Sequence, residues 1–449
     1  MKPIVLLLPI TLGTLFASFA TPSYSADLMQ VYRDALSYDA QYSSARAALD
    51  AGEEKLPQGR AGLLPTVSAT ANTTWNDIDY QQRRDGVNQI NSKYNTNGYS
   101  VTLTQPVFRW QNIMQYAQGK LQVAQAEAQF AQAKQDLILR VSQAYFDVLL
   151  AQDSLRLAQA QKTAIGEQLE QAKRNFEVGT ATITDSNEAQ ARYDLTTAQE
   201  LAAQNDLEIK RQALNQVMGK VPEFLAPLRA NVQLQRPQPE EMNQWVTSAE
   251  QNSPLVAVQE AALEIADKEV GKQRAGHYPT LDVVATRGRN SNTGALAFGA
   301  PMAGSDSHST TVGLQLNMPI FNGGATASRD REAVAMREKA RADLDNTRRS
   351  VAQNARQAYL GATSGMLQVK AYEQALISSQ SALDSNKLGY EVGVRINIDV
   401  LNAQQQLYST RRDLAKAYYD TLQFQLKLKA AAGSLGEDDV QAVNILLEK

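Results

Sequence analysis

From Val107 to Glu177 the chain carries no proline and only two glycines, among residues rich in Gln, Ala and charge. Nothing there breaks a helix, so the stretch predicts one uninterrupted rod over ~107–177, about 105 Å long at 1.5 Å per residue. Its apolar residues keep a seven-residue step: Val141, Val148, Leu155, Leu169 and Phe176 form one series, broken only at Lys162. A second series is Ala144, Ala151, Ala158, Ile165 and Ala172. Two such series side by side make a coiled-coil seam, and the alanines admit a close partner backbone. A polar rod of this length cannot bury itself, so the rest of the chain must supply its partners.

The rest of the chain repeats the same unit. Ala47-Ala48-Leu49 returns as Ala261-Ala262-Leu263, Arg60-Ala61-Gly62 as Arg274-Ala275-Gly276, and Pro65-Thr66 as Pro279-Thr280. Ala144-Tyr145 returns as Ala358-Tyr359, and Glu177-Val178-Gly179 as Glu391-Val392-Gly393, always 214 residues later (274 − 60). Only Pro106 and Pro319 are offset by 213. Each unit predicts a helix, two strands, a long helix, a turn and a return helix.

The first helices are expected from Leu28 to Gly62 and from Glu240 to Gly276. After Pro65, Val67, Ala69, Ala71, Thr73 and Trp75 alternate with Ser68, Thr70, Asn72 and Thr74, and Tyr99, Val101 and Leu103 alternate with Ser100, Thr102 and Thr104. Leu281, Val283 and Ala285 open a third strand, and Val312, Leu314, Leu316 and Met318 alternate in a fourth with Thr311, Gly313, Gln315 and Asn317. One apolar and one small polar face over about ten residues suits a membrane barrel strand, and ordinary soluble hairpins are the rival reading. The polar segments Asp77 to Asn97 and Asn290 to Ser309 are expected as exposed loops.

Four strands cannot close a barrel, and an open edge cannot sit in lipid, where each unpaired backbone group costs several kcal/mol. A membrane reading therefore demands an oligomer. Two copies give about eight strands filled by side chains, and three give about twelve around a lumen; the small inward residues favour the wider one.

The chain divides into 1–25, 26–221, 222–239, 240–435 and 436–449. Strands are expected at ~66–76, ~98–106, ~280–289 and ~310–320, the second rod at ~324–391, and return helices at ~185–218 and ~399–432. The second rod again steps by seven through Ala355, Ala362, Val369, Leu376, Leu383 and Tyr390. Residues 222–239 are a Pro-rich linker on the outside of the rods, and 436–449 a short polar tail. Lys2, the apolar run Ile4 to Phe19 and Ser23-Tyr24-Ser25 predict a secretory signal peptide over 1–25.

The turns read EVGTATITD (Glu177 to Asp185) and EVGVRINID (Glu391 to Asp399). Gly179 and Gly393 should each end a helix, and Asp185 or Thr184 should start the next, with Glu188 closing a capping box on Asp185. On that reading Asp185 and Asp399 are helix caps. The sharper reading notes that Arg395 stands where the first turn has Ala181, a charge difference that suggests different jobs for the two hairpins.

The paired turns, Pro-Val-Phe and Pro-Ile-Phe after the second strand of each unit, Leu28-Met29-Gln30-Val31-Tyr32 and the duplication together resemble the TolC family of outer membrane factors. These are the efflux and type I secretion ducts of Gram-negative bacteria, and the likeness spans essentially the whole mature chain. It implies a homotrimer in which a twelve-stranded β-barrel, four strands per chain, sits in outer-membrane lipid. That barrel continues into a twelve-helix α-helical barrel across the periplasm, with a mixed equatorial belt built from linker and tail. The resemblance also implies that the tips, Val178, Gly179, Thr180, Val392, Gly393 and Val394, dock on a periplasmic adaptor (membrane fusion) protein. An inner-membrane RND or ABC transporter is the further partner.

By the same resemblance Arg395, Asp185, Thr184 and Tyr390 lock the periplasmic gate, and Asp399 belongs to a carboxylate ring at the entrance that could be blocked by cations. The second ring position falls on Asn402, so this chain has one charge fewer per subunit there. Tyr390 also lies on the heptad seam. Moving a gate from nearly shut to nearly open takes about 5.5 kcal/mol. Three shielded charge-assisted contacts of about 1.5–3 kcal/mol reach that figure, whereas three exposed pairs of about 0.2–1 do not, so the lock should be partly shielded when shut.

Other classes fare poorly. A net charge of −3 offers no basic surface for nucleic acid. The absence of cysteine excludes disulfides, thiolate metal sites, a cysteine nucleophile and a lipidated N-terminal cysteine. His277 and His308 are not clustered, and no nucleophile elbow or phosphate loop occurs, so neither enzyme nor cofactor is expected. A structural coiled-coil stalk or adhesin without transport is the main alternative; a general porin has no use for such rods.

Overall fold

The computed structural model describes residues 26–81, 89–220, 224–229, 232–297 and 300–448. The expected signal peptide and Pro222 lie outside them. Three short helices open the chain, α1 (Leu28–Tyr38), α2 (Ala40–Glu53) and α3 (Lys55–Ala61), followed by strands β1 (Thr66–Gln81) and β2 (Gln89–Phe108). The first rod, α4 (Trp110–Glu177), has 68 residues, about 100 Å, and α5 (Ile183–Met218) returns along it. The second half follows as α6 (Met242–Asn252), α7 (Pro254–Arg274), a 3₁₀ turn at Ala275–His277, β3 (Thr280–Ala297), β4 (Ala300–Asn317), α8 (Ala325–Glu391) and α9 (Asn397–Ala431). A last helix, α10, spans Glu437–Asn444.

Local chemistry corrects several expectations. The helix expected over 28–62 is three: Asp39 leaves helical geometry to cap α2, its carboxylate accepting from the Tyr42 N–H at 2.6 Å, and the chain restarts at Lys55 with Pro57 in the first turn, where a missing N–H costs nothing. The helix expected over 240–276 is broken at Ser253, with Pro254 as the first residue of α7. The loops expected at 77–97 and 290–309 are largely strand, since ladder bonds join backbones whatever the side chains. Pairing runs from Thr66↔Thr104 to Gln81↔Gln89 and from Thr280↔Asn317 to Ala297↔Ala300. The expected polar tail folds into α10 because Val440, Val443 and Leu447 are buried.

The four strands form one antiparallel sheet in chain order. Val67, Leu103, Ala285 and Val312 lie in one row across it, and Ala69, Val101, Arg287 and Thr310 in the next. The other face carries small polar rows such as Ser68, Thr102, Thr286 and Thr311, and is stitched by the hydroxyls of Thr70 and Ser100 at 2.9 Å and of Thr102 and Thr286 at 3.2 Å. At the sheet base Arg109 donates through two nitrogens to the buried Asp282 at 2.7 and 2.8 Å, fixing β3 to the start of α4.

Each rod is covered differently along its length. Near the sheet, α2, α3 and α7 pack on α4, and α6 and α7 on α8; farther away α5 and α9 take over. The main core lies where these zones meet: α1, the middle of α4, the end of α5, α9 and α10 enclose Leu28, Leu137, Phe146, Leu149, Leu214 and Leu422. The linker enters this core through Leu225 and Ala226 and pairs with both ends of the chain, Ala26↔Leu225 and Leu228↔Leu447. The Tyr145 hydroxyl, buried within α4, donates to the Ala226 carbonyl at 2.7 Å, and burial pushes its pKa well above the usual phenol value.

Candidate functional site: the far ends of the helical hairpins

Of the heptad positions on α4, Val141, Val148, Ala151, Ile165, Leu169 and Ala172 are buried. Lys162, the one break in the series, donates to Glu200 of α5 at 2.8 Å; this bond raises the lysine pKa and lowers that of the carboxylate. Toward the tips, Ile165, Leu169 and Ala172 of α4 meet Ala189 of α5 and Leu401 of α9 in a small apolar cluster. There the two hairpins touch.

Both rods end alike. Gly179 and Gly393 take φ of 79° and 80°, open to glycine and strained for any residue with a Cβ. The next N–H reaches back to the last turn, Thr180 to the Asn175 carbonyl at 2.8 Å and Val394 to the Gly389 carbonyl at 2.9 Å, the αL helix stop. Val178, Val392, Val394 and Ile396 are left exposed, so the tips present apolar side chains on rigid turns.

The return helices start differently. Thr182, not Asp185 or Thr184, caps α5, and the capping box closes on Asp185: its carboxylate accepts from the Thr182 N–H at 3.0 Å and hydroxyl at 2.8 Å. Glu188 has no part in it. The geometric reason is that Ile183 is already helical, which puts Asp185, rather than Glu188, at the third position. Helix α9 has Ile396 at its cap and no side-chain capping bond.

Within one chain the expected lock residues are distributed. Arg395 pairs with Asp399 one turn ahead at 3.5 Å, and its side chain is 58% exposed. Asp185 is engaged by Thr182, and Thr184 is exposed. The Tyr390 hydroxyl accepts from Asn175 at 3.2 Å while its ring packs beside Leu383, Val400 and Leu407. Asn402, the uncharged ring position, accepts from Arg192 of α5 at 2.9 Å, and the same guanidinium donates to Gln405 at 2.6 Å.

Three residues at this junction escaped the sequence reading: Arg192, Gln168 and Asn397. Asn397 is completely buried; its side chain accepts from Gln168 of α4 at 2.6 Å and donates to the Asp185 carbonyl at 3.4 Å. The signal was present, because the repeat has Ile183 in place of Asn397 and Thr182 in place of Ile396. A comparison of the turns by charge alone passes over both. Arg192 gives no such signal, since its partners stand more than 200 residues away (402 − 192).

The family profile described as outer membrane efflux protein matches residues 31–220 and again 245–434, two matches offset by the same 214 residues (245 − 31). The outer membrane protein TolC of Escherichia coli K12 is 34% identical over 99% of this chain and 89% of its own length. The alkaline protease secretion protein AprF of Pseudomonas aeruginosa is 31% identical over 94% of this chain and 87% of its own. Among solved structures, the Campylobacter jejuni CmeC outer membrane channel superposes with a TM-score of 0.79 at 16% identity, covering 99% of this chain and 98% of that one.

Proposed function

This chain belongs to the outer membrane efflux protein family, and from that premise, an exit channel of the outer membrane, we propose that three copies close a passive duct whose periplasmic tips open on engagement. The single observation that carries the reading is the four-stranded sheet with one apolar and one small polar face, mounted on paired rods about 100 Å long. Four strands leave two unpaired edges, which lipid does not tolerate. Three chains supply about twelve strands, wide enough for a lumen, and the rods continue the same bore.

The exposed Val178, Thr180, Val392 and Val394, on glycine-stopped turns at Gly179 and Gly393, form the face for a periplasmic adaptor. An inner-membrane RND or ABC pump supplies the energy, for this chain has no catalytic role. The relatives include a protein named for protease secretion and one named for efflux, and a passive duct of this kind suits either cargo. Nothing among the relatives supports a stalk without transport.

In the shut duct, Arg395 exchanges its exposed partner Asp399 for Asp185, Thr184 and Tyr390 around the subunit boundary, where burial strengthens the contact. We expect Arg395→Ser to raise the single-channel conductance of the purified protein in planar bilayers. Unchanged conductance would remove Arg395 from the lock, and absence of current from the unaltered protein would remove the duct.

A further inference from the structure

The lipid-facing side of the sheet carries a cationic feature that conduction does not require. Along β3 the residues sharing a face with Leu281, Val283 and Ala285 are Arg287, Arg289 and Ser291, since side chains alternate. Register sets Arg287 between Val101 and Thr310, and Arg289 between Tyr99 and His308. Arg287, Arg289, Tyr99 and His308 are all exposed.

Arg289 is held by Asp306 at 3.1 Å, whereas Arg287 has no ion-pair partner among the described residues. Neighbours two apart on a strand are about 6.6 Å apart, and those directly across about 5 Å. The four side chains therefore rise from a patch about 10 Å across, within which the long arginine side chains can converge on one phosphate group.

Its height selects the ligand. The helices leave the opposite ends of the strands, so the hairpins β1–β2 and β3–β4 point away from the periplasm. Arg289 lies nine residues above the start of β3 (289 − 280). At about 3.3 Å per residue and a tilt near 40°, that is a rise of roughly 23 Å, close to the height of a barrel's apolar band, and Arg287, two residues lower, sits about 5 Å beneath it, within reach of the same boundary for so long a side chain. A guanidinium facing lipid costs about 2–4 kcal/mol at mid-membrane but only about 0–1 at the interface, and there it meets headgroups. Arg recognises phosphate through paired N–H donors, and Tyr is suited to the same boundary.

We propose that Arg287 and Arg289, flanked by Tyr99 and His308, bind the phosphate of a phosphorylated glycolipid in the outer leaflet. The inference rests on the barrel reading above. It is tested on the purified protein in detergent by native mass spectrometry, titrating diphosphoryl lipid A, its dephosphorylated form and inorganic phosphate, with planar-bilayer conductance measured in parallel. The R287S/R289S protein should bind diphosphoryl lipid A at least about tenfold more weakly while binding the dephosphorylated lipid equally and conducting normally.

Arg→Lys at both positions should recover part of the loss, because charge returns without the paired donors. Equal binding of diphosphoryl lipid A by both proteins overturns the proposal. So does displacement by millimolar inorganic phosphate, which would mark a free-anion site. Conducting proteins with equal lipid binding would sink this inference alone; an unaltered protein that passes no current sinks the barrel and this inference with it.

Discussion

Asp39 shows how much a single residue does here. Its carboxylate caps α2 and takes two hydrogen bonds from Arg140 of α4, at 2.8 and 2.9 Å, and the guanidinium holds its pKa below the usual carboxylate value. A depressed folded pKa contributes stability above the unfolded value, and that contribution is lost as pH falls through the folded one. The thermal midpoint should therefore drop below about pH 4, and Asp39→Asn, costing about 1.5–3 kcal/mol at neutral pH, should flatten that drop in a melting series.

Asp399 shows the opposite economy. Arg395, 3.5 Å away within the chain, offsets its charge; on the trimeric reading proposed above, three copies would make only a weak cation ring while that pair holds. Asp399→Ala should weaken block of the channel by trivalent metal ions, and Arg395→Ser should strengthen it by freeing the carboxylate. Equal block in all three proteins would leave Asp399 a first-turn helix residue only.

At the level of elements, the two hairpins are copies that have diverged where they meet. One return helix is capped by Thr182 and Asp185. The other starts uncapped and instead buries Asn397 against Gln168 and the Asp185 carbonyl. Removing one partner of a buried polar pair costs about 1–3 kcal/mol, whereas replacing both with apolar groups is nearly neutral. Asn397→Leu should thus loosen the tip, read as faster amide exchange in 392–405. Adding Gln168→Leu should restore much of the protection; a double variant no better protected than the single would separate the two side chains. The helix breaks at Ser253-Pro254 and just before Pro57 were legible in the sequence, because proline favours the first turn of a helix.

For the whole molecule, the open sheet underlies the proposed stoichiometry. Its outer strands, β1 and β4, each leave one edge unpaired within the chain, and its apolar side shows Val67, Trp75, Val312, Leu314 and Leu316. No helix among the described residues is long and apolar enough to cross a membrane. The purified protein should require detergent and run as a trimer by mass measurement under native conditions. A monodisperse monomer in plain buffer would contradict the closure argument. The belt core adds a tie within each chain, since Ala26, Leu225, Leu228 and Leu447 bring the N-terminal segment, linker and tail together.

The amino-acid sequence by itself determined the periodic parts. Seven-residue steps fix helices, two-residue alternation fixes strand faces, glycine marks the αL stops, and a constant offset of 214 (274 − 60) reveals the duplication. These are local regularities, readable because backbone geometry imposes its own period on side chains. Only the tertiary structure decided which residues meet. Arg192 finding Asn402, Asn397 finding Gln168, strand pairing running on through the polar segments and the tail folding into the belt all depend on contacts between distant segments. No periodic pattern encodes such contacts, because they arise where rods, sheet and linker converge and each buried polar group must find a partner in space.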